Sequence, residues 1–313
     1  MSVRPAIAWL MMLSMCGGCS FALRALGRTL DVPAEPQHVQ HKLHDAHRAD
    51  ARLSVLWIGH ANALVQLDDK FVLTDPVFTS SVGGISRRLV EPGFDAADLP
   101  QLAAAVVSHT HMDHFSFDSL AMIEHKTGHV FLPQGARDNL PRYAFQSHEL
   151  ARWQSFEADG VRITAVPVRH VGGRFGLDIA WSPDSFTGYV FEYHGLSVYF
   201  GGDSAFDVEI FQAARAHFPA LDLALLPICP IEPREYMKIV HMDPLEALDA
   251  FELLGAKQMV PIHFDTFINS ADVPGECPRA LRFESARRKL SAETVAILAI
   301  GEQRVFVPRV SAR

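Results

Sequence analysis

The chain has little that would carry it through a membrane or onto a nucleic acid. Beyond the N-terminal leader, no apolar run approaches the ~20 residues that a bilayer-spanning helix needs. No basic cluster with interleaved aromatics occurs and the formal net charge is −8, so nucleic acid is not an expected partner. Internal repeats and low-complexity blocks are also absent. Cysteine is scarce, four residues in 313, and two of them, Cys16 and Cys19, belong to the leader. The other two, Cys229 and Cys277, each lie near an expected site loop. An oxidising compartment would let them pair, but sequence alone does not bring them together, and we read them as two unpaired thiols. What remains after the leader, roughly 290 residues, is enough to bury a sizeable core.

What the chain does have is a dense set of metal-binding side chains. His109, His111, Asp113 and His114 fall within Ser108-His109-Thr110-His111-Met112-Asp113-His114. They follow Leu102-Ala103-Ala104-Ala105-Val106-Val107, an apolar run that reads as a buried strand. A strand ending in such a cluster delivers several ligands to one point. Imidazoles and a carboxylate suit zinc, and also iron or manganese. The plain alternative is a polar turn that is merely histidine-rich. It loses ground because the same grammar recurs downstream. His170 closes Val166-Pro167-Val168-Arg169-His170, Asp203 follows Tyr199-Phe200-Gly201-Gly202, and His263 closes Met259-Val260-Pro261-Ile262-His263.

The H-x-H-x-D-H pattern, with His170, Asp203 and His263 following in order, resembles the metallo-β-lactamase superfamily. The resemblance implies that His109, His111 and His170 hold one divalent metal ion. Asp113, His114 and His263 would hold a second, and Asp203 would bridge both. Zinc is expected, with manganese or iron as alternatives. Two cations roughly 3.5–4 Å apart share a hydroxide and lower the pKa of its parent water. A metal-bridging hydroxide is therefore the expected nucleophile, oriented by Asp113. Aspartate rather than cysteine at position 203 is similar to the phosphoesterase and lactonase branches, not the antibiotic-hydrolysing one. Three further segments resemble N-acyl-phosphatidylethanolamine phospholipase D and its bacterial relatives: Leu56-Trp57-Ile58-Gly59-His60-Ala61, Leu73-Thr74-Asp75-Pro76-Val77-Phe78, and Glu232-Pro233-Arg234-Glu235-Tyr236-Met237-Lys238 with His241-Met242-Asp243-Pro244. The L-ascorbate-6-phosphate lactonase family is a more distant likeness. The implied activity is a dinuclear hydrolase cleaving a phosphodiester such as a phospholipid. A lactonase or other small-ester metallohydrolase is the alternative. A non-catalytic metal-binding lipoprotein is a minor one, disfavoured because no ligand position is missing.

The coarse element order is strands first, then alternation. Leu53–Ile58, Asn62–Leu67 and Phe71–Thr74 read as a meander turning at Asp68-Asp69. Val161–Val166, Gly188–Tyr193, Ser197–Phe200, Leu221–Leu226, Gln258–Ile262, Thr294–Ala299 and Arg304–Val307 read as further strands. Helices fit Phe117–Lys126, Phe206–His217, Pro244–Leu254 and Arg279–Leu290. The third is signposted by Asp243 as cap, Pro244 in the first turn, Glu246 at the capping-box position and Gly255 as stop. The expected fold is α/β, a four-layer αβ/βα sandwich over residues 52–313, with the site along one edge.

Other residues invite roles. His60, after a strand-end turn, reads as a substrate contact or a partner of a ligand, and equally as a structural histidine. His241 reads as orienting a ligand or as a catalytic group acting on the leaving group beside Asp113. Asp75 suits an acceptor for a ligating imidazole, or an ordinary turn aspartate. Arg234 and Lys238 suit a phosphate, against the default of solvated surface charges, and Arg174 is a weaker candidate of the same kind.

The first residues are a separate object. Arg4 precedes an apolar stretch from Pro5 to Met15, and Cys16-Gly17-Gly18-Cys19-Ser20 follows. This has the length of a signal-peptide core, and the small residues before Cys19 resemble a bacterial lipoprotein cleavage site. Residues 1–19 are read as a signal peptide, Cys19 as the lipidated residue, and 20–51 as a polar tether. The product is then exported to the bacterial cell envelope and held on a membrane by its lipid, facing the periplasm. His38, His41, His44 and His47 repeat every three residues in the tether. No carboxylate or cysteine completes a metal geometry there, so a polar surface segment is the better reading.

Overall fold

The structure, a computed structural model, describes residues 35–83, 86–174, 185–268 and 270–310. The expected signal peptide, Cys19 and the start of the expected tether lie outside the described residues.

Residues in the first half form β1 (Ala51–Gly59), β2 (Asn62–Leu67), β3 (Lys70–Thr74), a small hairpin of β4 (Ser81–Val82) and β5 (Ser86–Arg87), then β6 (Ala104–Val106), β7 (His129–Leu132) and β8 (Gln146–Glu149). Those in the second half form β9 (Ser155–Ala158), β10 (Val161–Val166), β11 (Gly188–Tyr193), β12 (Leu196–Phe200), β13 (Leu223–Pro227), β14 (Gln258–Ile262) and β15 (Gln303–Pro308). The helices are α1 (Phe117–Ile123), α2 (Val208–His217), α3 (Arg234–Met237), α4 (Pro244–Leu254) and α5 (Glu276–Arg287). Among the described residues no helix is long and apolar enough to cross a membrane.

Two mixed sheets result, ordered β15-β1-β2-β3-β6-β7-β8 and β14-β13-β12-β11-β10-β9. Successive side chains on a strand point to opposite faces, and β1 shows how this builds layers. Val55 and Trp57 join the core between the sheets, with Ile163, Tyr189, Val198 and Val260 from the second sheet. Leu56 and Ile58 face the other way, into a core with Leu120 and Ile123 of α1 and with Phe94 and Phe115. On the outside of the second sheet, Phe211 of α2, Phe251 and Leu254 of α4 and Leu281 of α5 are buried. This is the expected four-layer sandwich.

Sequence signals explain the sharp corners. His194 and Gly195, between β11 and β12, take φ of +49° and +78°. Two positive values suit the type I′ turn that matches strand twist. Helix α4 has the full reciprocal capping box of Asp243 and Glu246, proline at its start, and Gly255 at φ +65° as its stop.

Some elements differ from expectation. Helix α1 ends at Ile123 and α5 begins at Glu276. The run Thr294–Ala299 is not a strand; only Val295 bridges to Met259, while Val295, Ala296 and Leu298 are buried in the main core. Residues 35–50, part of the segment read as a tether, run along the domain. Gln37 bonds to Leu89 and Glu91 through backbone groups, Lys42 pairs with Asp95, His44 with Asp98, and Ala46 is buried. Cys229 and Cys277 correct the reading as free thiols: they form a disulfide, with Cα atoms 6.1 Å apart. Their separation of 48 residues hides a proximity that only the packing of α5 against the β13 loop creates.

Candidate metal centre

Every residue of the centre except His241, which lies between α3 and α4, follows the C-terminal end of a strand. His60 follows β1, Asp75 follows β3, and His109 to His114 follow β6. His170 follows β10, Asp203 follows β12 and His263 follows β14. Where parallel strands β12, β13 and β14 end side by side, their loops converge on a shared edge, the usual place for a site in an open α/β sheet. Asp203 reaches it because Gly202 lies at φ +54° against Ser108. A Cβ on Gly202 would sit 2.4 Å from the Cβ of Ser108, so no other residue fits without moving the loop. His60, Asp75 and His263 hold φ of +58°, +33° and +64°, left-handed values that non-glycine residues keep only where surrounding structure holds them.

Asp203 is the hub. Its Oδ2 lies 3.1 Å from His263 Nε2 and 3.2 Å from His114 Nε2. It is 3.8 Å from His109 Nε2, His170 Nε2 and His241 Nδ1. Four groups of side chains here have donor atoms within 4.8 Å of one another: His109, His111 and His170; His60, Asp113, His114 and His263; His109, His114 and Asp203; His170, Asp203 and His241. The first two contain the two ligand triads expected from sequence, the third joins them through Asp203, and His60 and His241 are additional.

The far nitrogens of three imidazoles are anchored by groups outside the ring of ligands. His114 Nδ1 donates to Asp75 Oδ2 at 2.6 Å, His170 Nδ1 to the Val240 carbonyl at 2.8 Å, and His263 Nδ1 to the Cys229 carbonyl at 2.9 Å. A ring nitrogen that donates this way fixes the tautomer and leaves Nε2 with a lone pair. Those three Nε2 atoms, together with Asp203 Oδ1 and His241 Nδ1, are buried and have no hydrogen-bond partner. Buried polar atoms are normally satisfied. Convergent lone pairs on imidazole and carboxylate therefore fit divalent cations, as does their chemistry.

Asp75 governs two imidazoles at once. Its Oδ1 accepts the Ser108 N–H at 2.7 Å and its Oδ2 the Ser108 hydroxyl at 2.7 Å. The Ser108 oxygen is then the acceptor for His109 Nδ1, 2.9 Å away. Sequence placed Ser108 beside the motif without giving it a role.

Electrostatics separate the groups. Burial keeps His60 down at about 3 and His170 at about 4. It also holds His109 and His241 well below the ordinary histidine value. Burial would raise Asp203 and Asp113, but His114 and its neighbours outweigh it and hold both carboxyls below the usual range. His114 goes the other way: burial opposes its charge, and Asp203, Asp113 and Asp75 overcome that and hold it well above normal. Carboxylates that draw a proton this strongly onto His114 suit a cation, which would take that proton's place on Nε2.

The remaining candidates divide. His60 is buried, donates through Nε2 to Asp113 Oδ2 at 3.0 Å, and has its backbone N–H bound by Thr266 Oγ1 at 2.6 Å. It orients Asp113. His241 is half-buried at the rim beside Asp203. Arg234 lies at the start of α3 beside acidic partners. Its guanidinium pairs with Asp243 and Glu246 and donates to the His241 carbonyl, so it braces the His241 segment. Lys238 is exposed on the turn after α3. Arg174 donates to the Phe115 carbonyl and stacks over Phe117, 3.8 Å from its centroid.

Comparison with known proteins agrees with this geometry. Residues 70–264 match the family described as a beta-lactamase superfamily domain. The N-acyl-phosphatidylethanolamine-hydrolyzing phospholipase D 1 of Caenorhabditis elegans is 32% identical over 71% of this chain and 67% of its own length. A metal-dependent hydrolase of Pelotomaculum thermopropionicum is 30% identical over 80% of this chain and 98% of its own. The chain spans 61% of the length of the uncharacterised mycobacterial proteins it matches at 33% identity. Among solved structures, a metallo hydrolase of Ignicoccus hospitalis superposes with a TM-score of 0.60 at 21% identity, over 80% of this chain and 97% of that one. The chain belongs to the beta-lactamase superfamily and has the metallo-β-lactamase fold.

Proposed function

We propose that this member of the superfamily is a metal-dependent hydrolase that cleaves a phosphodiester, with phospholipids as its substrate class. The observation that carries the reading is the Asp203 carboxylate ringed by imidazoles whose far nitrogens are anchored. His109, His111 and His170 would hold one ion and Asp113, His114 and His263 a second, with Asp203 between them. Divalent ions bound there supply Lewis acidity, polarising the bond under attack and acidifying water.

The chain's own groups do the rest. Asp113 is kept ionised and aimed by His60, and its side chain is 23% exposed. It can accept a proton from an attacking water at the open side of the centre. His241, neutral and half-buried, is placed to hydrogen-bond the leaving oxygen. Support for a phospholipid comes from the similarity to the C. elegans enzyme and from the Glu232 to Pro244 segment, which supplies both His241 and the Val240 carbonyl that orients His170. A lipid on Cys19 would hold the enzyme at the surface where such substrates lie, and Cys19→Ser would then release it from membranes.

The test is a substrate panel on metal-analysed protein, pairing phospholipid micelles and bis(p-nitrophenyl) phosphate with simple lactones. Phosphodiester cleavage, faster on long-chain substrates in micelles, is expected, and the released headgroup identifies the bond broken. Lactone turnover without phosphodiester cleavage would overturn the assignment in favour of a lactonase.

A further inference from the structure

One imidazole of the centre is aimed by a residue that is covalently tied to a distant helix. His263 donates through Nδ1 to the carbonyl of Cys229. Cys229 sits on the irregular loop that leaves β13, and its sulfur is bonded to Cys277 in the first turn of α5. Both cysteines are buried, at 8% and 1% exposure. The rest of that loop leans on the segment that leads into α5. The backbone N–H groups of Ile231 and Glu232 donate to the Asp272 carboxylate, each at 2.8 Å, and Ala271 N–H donates to the Glu232 carbonyl at 3.3 Å. Those contacts act two and three residues beyond the carbonyl that matters. At Cys229 itself the disulfide is the direct tie to α5.

We propose that the Cys229–Cys277 disulfide is a positioning device for His263. It fixes the Cys229 carbonyl, and through it the direction of the His263 Nε2 lone pair, so that the hold of the Asp113–His114–His263 position on its metal depends on the oxidation state of this cysteine pair. The inference rests on the metal-holding reading of the centre. It is selective by construction. Two imidazoles of the other position, His109 and His170, take their orientation from Ser108 and Val240, which lie on different loops. Reduction adds two electrons and two protons to the S–S bond and leaves two thiols, while a trialkylphosphine is oxidised to its phosphine oxide, with one water supplying the oxygen and both protons.

The experiment counts zinc on the full chain after equilibration against graded pyridine-2,6-dicarboxylate, by elemental analysis. It compares oxidised protein, phosphine-reduced protein, reoxidised protein and the Cys229→Ser/Cys277→Ser variant. The double variant is needed because Cys229, Asp272 and Cys277 lie close enough to gather a metal themselves once reduced. Oxidised protein should keep both equivalents. The double variant and the reduced protein should release one equivalent at roughly tenfold lower chelator, the low end of what loss of an orienting partner costs a metal site. The other equivalent should stay, and reoxidation should restore the first in the wild type. Coincident curves would overturn the proposal, as would a parallel loss of both equivalents, which marks a general loosening. Oxidised protein that takes up no zinc would sink the reading of the centre and this inference with it. If circular dichroism shows that the double variant does not fold, Cys277→Ser, which breaks the disulfide and leaves a single thiol, decides by the same criterion.

Discussion

Replacing Asp75 by asparagine tests the hydrogen-bond logic of the centre while changing almost no volume. In the wild type Oδ1 accepts one proton and Oδ2 accepts two, from Ser108 and His114. With the amide oxygen kept on the Ser108 N–H, the amide nitrogen of the new side chain takes the place of Oδ2 and donates. His114 Nδ1 must then accept, so its proton moves to Nε2. The Ser108 hydroxyl must also accept from that amide and donate onward to His109 Nδ1, so the His109 proton moves to Nε2 as well. Flipping the amide only sets its N–H against the Ser108 N–H. One atom exchange thus turns two lone pairs at the centre into N–H groups.

Each mis-set imidazole is worth about 10–100-fold in metal affinity, or about 1.4–2.7 kcal/mol. Both metal positions should weaken. The fold should survive, because burial already raises the Asp75 carboxyl and a neutral amide relieves that cost. Ser108→Ala is the graded control. It leaves the Asp75–His114 bond in place and releases only His109, so its affinity should fall between wild type and Asp75→Asn. The assay is chelator competition for zinc, with the melting temperature of metal-free protein as the check on folding. Wild-type affinity in Asp75→Asn, or a larger loss in Ser108→Ala than in Asp75→Asn, would refute the relay.

Asp113→Ala and His263→Ala should each reduce turnover to background while circular dichroism stays unchanged; activity retained in both would sink the two-metal mechanism. Removing metal with chelator should lower the melting temperature, since a ligand at about 100 times its Kd stabilises by about 2.7 kcal/mol, and calorimetry with and without zinc reads this directly. Glu284 is drawn down to about 2, first by its hydrogen bonds to Arg287 and Arg288, from an ordinary 4.5. A depressed carboxyl contributes stability that is full above its unfolded value and is lost as pH falls toward the folded one. Melting curves between pH 6 and 3 should therefore drop more steeply for wild type than for Glu284→Gln, and equal slopes would refute the linkage. Asp243→Ala removes the cap that accepts from Leu245 and Glu246 and should cost about 1 kcal/mol in denaturant unfolding.

The legible parts of the sequence were those where residue type alone carries the chemistry. A strand running into His109-Thr110-His111-Met112-Asp113-His114 has few other uses, and α4 shows its caps in four separate choices. Strands β7 to β9 were not legible because they are short and partly polar: Gln146-Ser147-His148-Glu149 has no buried residue, which is how an edge strand avoids unwanted pairing. The opposite error occurred at Thr294–Ala299, where apolar residues satisfy their burial in the core without joining a ladder. The acceptors behind His170 and His263 were hidden for a deeper reason. They are backbone carbonyls, which every residue possesses, and only the tertiary fold decides that those of Val240 and Cys229 point at an imidazole.

That hidden layer explains why the centre belongs to the fold rather than to the motif. Asp75 comes from the end of β3, Ser108 from the loop after β6, Cys229 from the loop after β13, and Val240 from the turn before α4. Each reaches a different side of the ring of imidazoles around Asp203. A short peptide carrying His109 to His114 would have the donors but not the acceptors that choose their tautomers. Its rings would present N–H and lone pair at random, and its one carboxylate, Asp113, would sit in water. In the folded chain the same side chains are largely buried and aimed, so part of the free energy of folding is spent on orientation before any metal arrives. Metal binding then returns stability to those four segments together, which is why a change at Asp75 or at the Cys229–Cys277 pair, neither of which needs to touch a metal, should be read out in how tightly the metal is held.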